Sequence, residues 1–352
     1  MCEICEMVKR GPEYVPEEWA TKYHDRVKEA EAQGLTLAEY MKGKPRWVSL
    51  HGHSEYSLLD GAARIEDIIR KVKYMGQDAV AITDHGNLYG VVKAARAAKK
   101  AGVKYIVGAE LYITPRGHSR HDKSYGRADR PSRHQVVLAM NKTGYKNLCK
   151  LSSLGWSEGF YRVPRVDREL MERYNEGLIV TSSCIGGTIP QAIAEGDFST
   201  AKAELEWFLE VFGDRFFIEI QDHGFDEEKR AYEEMRKLAQ EYKIPLVATS
   251  DAHYLDSTDE VTHDALICVG TGQWVDQPER KFKFEGTGYH YQSEEEMRLR
   301  FPGEEEALFN AGRIADMCED DVVELGGDIN IPPFDVPDDP EFEQWEGWKE
   351  WI

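Results

Sequence analysis

Residues 47–61 read WVSLHGHSEYSLLDG, an apolar strand-like stretch that runs directly into two histidines and then an aspartate. Side chains two residues apart on a strand point to the same side, so His51 and His53 can share one metal ion. Imidazole is the commonest protein ligand for transition metals, and Gly52 between the two rings leaves them room. Such a pair is as often an ordinary surface or core pair, so the metal-site prediction depends on the rest of the chain.

Apolar strands and amphipathic helices alternate from residue 47 onward. Near-continuous apolar strands predict a parallel sheet buried on both faces, since antiparallel sheets more often alternate polar and apolar residues. Seven strands favour a closed or nearly closed β/α barrel, and a doubly wound open sheet is the alternative. The predicted strands are 47–50, 78–83, 103–113, 134–140, 177–183, 215–221 and 244–250, and the predicted helices are 65–75, 89–100, 145–154, 188–212 and 226–242.

Four regions are predicted along the 352 residues. Residues 1–45 form a polar leader with helices at 17–32 and 35–42, and residues 46–270 form the metal-binding barrel. Residues 271–334 form an attached subregion and connector, with a strand-rich excursion at 274–291 and helix at 294–317. Residues 335–352 are an acidic tail whose three tryptophans have helical spacing, which suits docking on this domain or on a partner.

Composition limits the function classes. With 44 basic and 64 acidic side chains the net charge is −20, which argues against indiscriminate coating of nucleic acid. No apolar run approaches the roughly 18 residues of a membrane span, and no signal peptide is evident, so we predict a cytoplasmic protein with no membrane contact. Of the six cysteines only Cys2 and Cys5 have metal-site spacing, which indicates either a structural zinc or a mobile terminus.

Side chains with metal-binding chemistry follow the predicted strands. The loops at the carboxyl ends of parallel strands meet at one end of a barrel, so these residues should converge there. Singly, each has an ordinary explanation; Cys184, for example, could be a small core residue. The candidate ligands are His51, His53, Asp60, His85, Glu110, His134, Cys184, Asp251 and His253.

Four of these segments carry a family resemblance: HGHSEYSLLDGAARIEDI (51–68), AITDHGNLYGVVK (81–93), VTSSCIGG (180–187) and VATSDAHYL (247–255). They resemble the PHP (polymerase and histidinol phosphatase) domain, and in particular the PHP domain at the N-terminus of bacterial DNA polymerase III alpha subunits. The resemblance implies a distorted seven-stranded β/α barrel of PHP type, with a small C-terminal extension, that holds up to three metal ions.

The resemblance also implies a ligand set for each ion. The first ion would take His51, His53, Glu110 and Asp251. The second would share Glu110 and add His134 and Cys184, and the third would use Asp60, His85 and His253. Histidines, carboxylates and one thiolate suit zinc, with manganese or iron possible at the harder positions.

Clustered divalent ions generate hydroxide near neutral pH and clamp the oxygens exchanged at phosphorus. We therefore expect a metal-dependent phosphoesterase of DNA replication, a proofreading-type 3'–5' exonuclease with a trinuclear centre that includes Glu110 and Asp251. Asp84 and His223 would orient ligands or protonate a leaving oxygen, or act only as structural hydrogen-bond partners. Expected partners are DNA, as a 3' end or single strand, and a polymerase-bearing chain or other replisome subunits.

Other functions remain open at the level of sequence. The domain could be a structural module that braces a separately encoded polymerase chain, or a free-standing small-molecule phosphatase. Polymerase activity is not expected from this chain alone, because the sequence contains no recognisable palm domain with polymerase carboxylates.

The loop between the third and fourth strands is basic in an otherwise acidic chain. Guanidinium groups there could grip substrate phosphates above the metals, although a solvated loop is the ordinary alternative. The candidate substrate-binding residues are Arg116, Arg120, Lys123, Arg127, Arg130 and Arg133.

Overall fold

A computed structural model describes residues 16–19, 23, 25–125 and 132–326. The strands are β1 (Ala79–Ile82), β2 (Lys104–Ile113), β3 (Arg133–Ala139), β4 (Arg165–Val166), β5 (Leu178–Thr181), β6 (Phe216–Ile220) and β7 (Leu246–Ala248). The α-helices are α1 (Asp25–Ala32), α2 (Leu37–Met41), α3 (Ile65–Tyr74), α4 (Val91–Ala101), α5 (Lys142–Ser157), α6 (Arg168–Arg173), α7 (Thr188–Ala194), α8 (Phe198–Phe212), α9 (Asp226–Tyr242), α10 (Glu260–Thr271), α11 (Glu294–Arg300) and α12 (Glu305–Met317).

The strands form one curled sheet in the order β1-β2-β3-β5-β6-β7, and β4 pairs with β2 outside this path. The prediction of an all-parallel sheet is wrong, because β3 runs antiparallel to both β2 and β5. The chain leaves β2 at the end of the barrel that carries Glu110 and enters β3 at that same end. His134 near the start of β3 is therefore placed beside the ends of the parallel strands.

The segment 47–53 joins the two edges of the sheet. It forms isolated bridges rather than the predicted strand. On one side the amide of Ala81 donates to the carbonyl of Ser49 at 2.8 Å, and on the other the amide of His53 donates to the carbonyl of Ala252 at 2.6 Å. The distorted β/α barrel is thereby confirmed, and the doubly wound open sheet does not apply.

Helices surround the barrel and are set by local signals in the sequence. Asn141 caps α5 by accepting from the amide of Gly144 at 2.9 Å. A Cβ at Gly144 would lie 1.9 Å from the carbonyl of Gly177, so this helix approaches the segment before β5 at a distance that only glycine allows. Helix α9 has the predicted bounds 226–242.

The regions flanking the barrel pack against it. Trp19 is 1% exposed within the main core, and its indole donates to Asp256 at 2.8 Å. Tyr291 and Met297 lie in the same core. The strand-rich excursion predicted at 274–291 is wrong: among these residues the structure has a single bridge, between His290 and Tyr254. Gly286 and Gly288 have φ of +77° and +93°, which turn the chain away from an extended conformation.

Within the described residues no helix is long and apolar enough to span a bilayer. The Cys2–Cys5 pair, Arg127, Arg130 and the tryptophan tail at 335–352 all lie outside them.

Candidate metal centre

Four side chains meet at the end of the barrel where the segment 47–53 closes the sheet. Nε2 of His51 and Nε2 of His53 each lie 3.2 Å from Oδ1 of Asp251. The same nitrogens lie 3.5 and 3.6 Å from the carboxylate oxygens of Glu110. Ligands about 2.1 Å from a tetrahedral ion are about 3.4 Å from one another, so these spacings suit a shared cation.

The ligand atoms of these residues lie close together, and three of them lack hydrogen-bond partners in the described part of the chain. Nε2 of His51, Nε2 of His53 and Oδ1 of Asp251 are buried, and none has a hydrogen-bond partner among the described residues. Each buried polar group left without a partner destabilises the fold by about 1–3 kcal/mol. Three such atoms side by side therefore indicate that a ligand binds there. The other nitrogen of each ring, Nδ1, has a hydrogen-bond partner. Nδ1 of His51 lies 2.7 Å from Glu219, and Nδ1 of His53 lies 3.0 Å from the Ser57 hydroxyl. In metal-binding histidines one ring nitrogen is usually hydrogen-bonded to the protein while the other binds the metal, and these two rings have that arrangement.

A second group extends from Glu110. Its Oε1 lies 3.0 Å from Nδ1 of His134 and 3.4 Å from Sγ of Cys184, and these two atoms are 3.5 Å apart. Burial raises the pKa of the Cys184 thiol well above its ordinary value, and the carboxylates of Glu110 and Asp251 raise it further. A thiolate at this position would therefore depend on a bound cation for its stability.

A third group contains His85, whose Nε2 lies 3.3 Å from Asp60. Its Nδ1 lies 2.8 Å from Oε2 of Glu110, so His85 also reaches the residue shared by the other groups. Ligand nitrogens of His53, His85 and His253 all lie within 4.8 Å of one another. The structure thus brings all nine sequence-predicted ligands into one cluster, with His85 and Glu110 linking its parts.

Charge balance within the cluster favours ionised carboxylates. Burial opposes ionisation of Glu110, but the rings of His134 and His51 hold the pKa of this carboxyl well below its ordinary value. Burial likewise disfavours a charged His51, yet Asp251, Glu219 and Glu110 raise the pKa of its ring. This His/Glu cluster can hold a metal ion, because carboxylates and imidazoles are the ligands that zinc, manganese and iron share.

Asp84 lies behind the ligands rather than among them. It accepts from the amide of Ser54 at 2.7 Å and from the hydroxyl of Ser57 at 2.8 Å. The Ser57 hydroxyl in turn contacts His53 and accepts from the amide of His85 at 3.1 Å. Asp84 is therefore placed to position two candidate ligands through Ser57.

His223 has both ring nitrogens engaged. Nδ1 lies 2.6 Å from Glu228, Nε2 lies 3.2 Å from the carbonyl of Ser250, and the ring stacks on Tyr289 at 3.8 Å. The contact with Ser250 fixes the peptide immediately before Asp251. His223 is thus placed to position Asp251, whose φ of +46° needs such support.

Glu219 is a residue whose role the sequence analysis missed. It is fully buried in β6, bound to His51, and accepts hydrogen bonds from Gln221 at 2.8 Å and from the hydroxyls of Thr181 and Thr249. A carboxylate in the middle of the apolar strand RFFIEIQ was the signal that could have identified it.

In the basic loop after β2, the placement of Arg120 differs from the one that the substrate-binding prediction requires. This side chain is buried, and its guanidinium binds Asp167 and Glu169 at 3.1 Å and Glu158 at 2.9 Å. The expectation that Arg120 grips substrate does not fit this placement, because its donors are already used to fold the loop.

The other described residues of this loop are more accessible. Arg116 lies 3.4 Å from Glu204, and Lys123 is exposed. Arg133 binds Glu195 at 3.1 Å and lines the cavity above the cluster. Among the described basic residues of this loop, Arg133 is the one that lines the cavity.

The cluster forms the floor of a cavity of about 870 Å³. Residues 280–285 form part of its wall, a contribution that the sequence analysis did not predict. The stretch RKFKF was a local signal, since it places three cations among aromatic residues in an acidic chain.

Histidines, carboxylates and a thiol converge at one end of a curled β/α barrel, in a cluster that can hold metal ions. Residues 49–223 match the family model described as the PHP domain. The chain therefore belongs to the PHP domain family.

The chain is similar to DNA polymerase III alpha subunits. It is 42% identical to that of Borreliella burgdorferi over 84% of this chain and 26% of the relative. It is 41% identical to that of Treponema pallidum, over 83% and 24%, and 39% identical to that of Thermus aquaticus, over 85% and 25%. The chain thus spans about a quarter of the length of these relatives.

Solved structures show weaker similarity. An amidohydrolase from Chromobacterium violaceum with bound sulfate and no metal has a TM-score of 0.36 at 16% identity, covering 58% of this chain and 87% of its own. A two-domain protein from Bacteroides vulgatus, described as containing a predicted PHP-like metal-dependent phosphoesterase, has a TM-score of 0.35 at 15% identity, covering 59% and 52%.

Proposed function

We propose that this chain is a metal-dependent phosphoesterase that removes nucleotides from the 3' end of DNA, as part of DNA replication. The observation that carries the proposal is the convergence of buried, unpartnered ligand atoms of His51, His53 and Asp251 beside an open cavity that Asp251 lines. The similarity to DNA polymerase III alpha subunits supports DNA as the substrate and the replication machinery as the setting.

The ligand chemistry fits hydrolysis at phosphorus. Bound divalent ions, zinc by preference for this mixed set, would polarise a phosphoryl oxygen and activate water. Glu110 and Asp251 supply the negative charge that retains the cations, and Glu110 is placed to serve more than one of them. We assign up to three ions to the nine ligands, grouped as the sequence analysis expects.

The surrounding residues hold this set in place. Glu219 fixes the ring of His51 so that Nε2 faces the centre, and Ser57, held by Asp84, does the same for His53. His223 fixes the backbone that precedes Asp251. We therefore propose positioning roles for Asp84 and His223 rather than direct proton transfer.

Substrate would enter through the cavity above the cluster. Arg133 and Arg162 line this cavity, where a guanidinium can bind a phosphate with two parallel hydrogen bonds. A polymerase-bearing chain or another replisome subunit is the proposed protein partner.

The test is cleavage of 5'-labelled single-stranded and primer-template DNA by protein loaded with zinc or manganese. We expect a ladder of products shortened from the 3' end, and none from Asp251→Asn. Asp214→Asn replaces an exposed carboxylate away from the cavity and should cleave like wild type. Full metal loading without cleavage would contradict the proposal and favour a structural module, and equal cleavage by the Asp251 variant would remove Asp251 from the site.

A further inference from the structure

Residues 280–289, here called the rim segment, contribute to the wall of the cavity and are held by hydrogen bonds near both ends. Arg280 binds Asp264 in α10 at 2.8 Å and donates to Sγ of Cys268 at 2.9 Å. At the other end the amide of Thr287 donates to the carbonyl of His223 at 2.9 Å. The residues between these contacts are therefore held over the cavity by the barrel itself.

Aromatic rings in contact with one another extend from the candidate ligand His253 along this segment. The ring of Phe284 lies 4.7 Å from His253 and 4.7 Å from Tyr289. Phe282 follows at 5.5 Å from Phe284 and is 45% exposed on the cavity wall. The exposed ring of Phe282, separated from the candidate ligand His253 by the ring of Phe284, gains little from burial in the fold, but it offers a face for stacking.

The same segment presents positive charge. Lys281 and Lys283 are both exposed on the cavity, and neither ammonium group forms an ion pair with a carboxylate in the part of the chain that the structure describes. Glu227 and Glu285 also line the cavity, so these two lysines offset acidic side chains there and add to the positive charge of Arg133 and Arg162. In a chain of net charge −20, such a pair marks a local site for phosphate.

We propose that the rim segment binds the nucleic-acid strand that enters the metal centre, with Phe282 stacked on a base and with Lys281 and Lys283 on the flanking phosphates. This inference rests on the proposed phosphoesterase function and narrows its substrate to base-bearing single strands, in preference to small phosphoesters. Stacking on an aromatic ring is tolerant of base identity, so little sequence preference is expected.

The first experiment separates base from backbone. The affinity of metal-loaded protein is measured by fluorescence anisotropy with a 5'-labelled phosphorothioate dT oligonucleotide and with its abasic counterpart. Because the Phe282→Ala variant loses the stacking of one base, its affinity for the dT oligonucleotide should be about 5- to 100-fold weaker than that of wild type. Its affinity for the abasic oligonucleotide should be unchanged. Phe282→Tyr should restore dT binding, and Phe198→Ala, an equally exposed phenylalanine on α8, should have no effect.

The second experiment measures charge. Lys281→Ala with Lys283→Ala should reduce the slope of log affinity against log salt by about 1.4, since each single-strand phosphate contact contributes about 0.7. Lys100→Ala with Lys150→Ala removes two exposed lysines that do not line the cavity and should leave the slope unchanged.

The outcomes distinguish this inference from the function on which it rests. Binding of dT by Phe282→Ala within twofold of wild type, or an unchanged salt slope in the double lysine variant, overturns the role of the rim segment even if DNA is cleaved. Binding changes as expected, without cleavage by any metal-loaded protein, support the rim segment as a strand-binding element and overturn the phosphoesterase proposal.

Discussion

Replacing Glu219 by Gln tests how the barrel prepares its metal ligands. The Glu219 carboxylate accepts from the ring nitrogen Nδ1 of His51 at 2.7 Å, which leaves Nε2 without a proton and open to a cation. A glutamine amide at this position can donate to Nδ1 of the neutral ring instead, which favours the tautomer with a proton on Nε2. The variant also removes one buried negative charge from beside the centre.

Loss of such a supporting contact typically costs 10- to 100-fold in metal affinity, which corresponds to about 1.4–2.8 kcal/mol. Because Gln keeps the volume of Glu, and because Thr181, Gln221 and Thr249 can still bond to it, we expect a smaller change in the unfolding free energy of the metal-free protein. The assay is chelator competition with zinc, alongside thermal unfolding of the metal-free protein.

Glu204→Gln is the matched control, since Glu204 is 1% exposed and binds Arg116 and Arg168 away from the cavity. It should leave zinc affinity unchanged, whatever its effect on stability. Zinc affinity of Glu219→Gln within twofold of wild type would refute the positioning role, as would an equal loss in Glu204→Gln.

Three further predictions concern the centre and the basic loop. Asp251→Asn should abolish phosphoester cleavage and lower metal affinity with little change in melting temperature, and an enzyme still active after metal loading would remove Asp251 from the site. Elemental analysis of reconstituted protein should find between two and three equivalents of metal, and less than one would rule out a trinuclear centre. Arg120→Ala should destabilise the fold by about 1–3 kcal/mol in denaturant unfolding, because it leaves buried Asp167 without its guanidinium partner; a loss of DNA affinity at unchanged stability would restore the substrate-binding interpretation.

The candidate ligands could be found from sequence because they directly follow apolar strands. His85 follows β1 and Asp251 follows β7 within a few residues, His51 follows the apolar segment 47–50, and the ends of parallel strands meet at one end of a barrel. The fold therefore brings residues from separate short motifs together in one cluster.

The direction of β3 could not be predicted in the same way. Its residues are buried along most of its length, so an antiparallel strand here has the apolar pattern of a parallel one. Arg120 shows the same limit for side chains. The carboxylates that bind it are Glu158 directly after α5, Asp167 directly before α6 and Glu169 in α6, and no local sequence pattern predicts such pairing. The rim segment was missed because its contact with His253 is made only in the folded chain.

We propose that His51, His53, Glu110 and Asp251 together hold a divalent cation. The most direct measurement is anomalous diffraction from crystals of zinc-loaded protein, recorded above and below the zinc absorption edge. We expect a difference peak within about 2.3 Å of Nε2 of His51, Nε2 of His53 and a carboxylate oxygen of Asp251. Fully loaded crystals with no peak among these atoms, or with zinc bound only elsewhere, would contradict it.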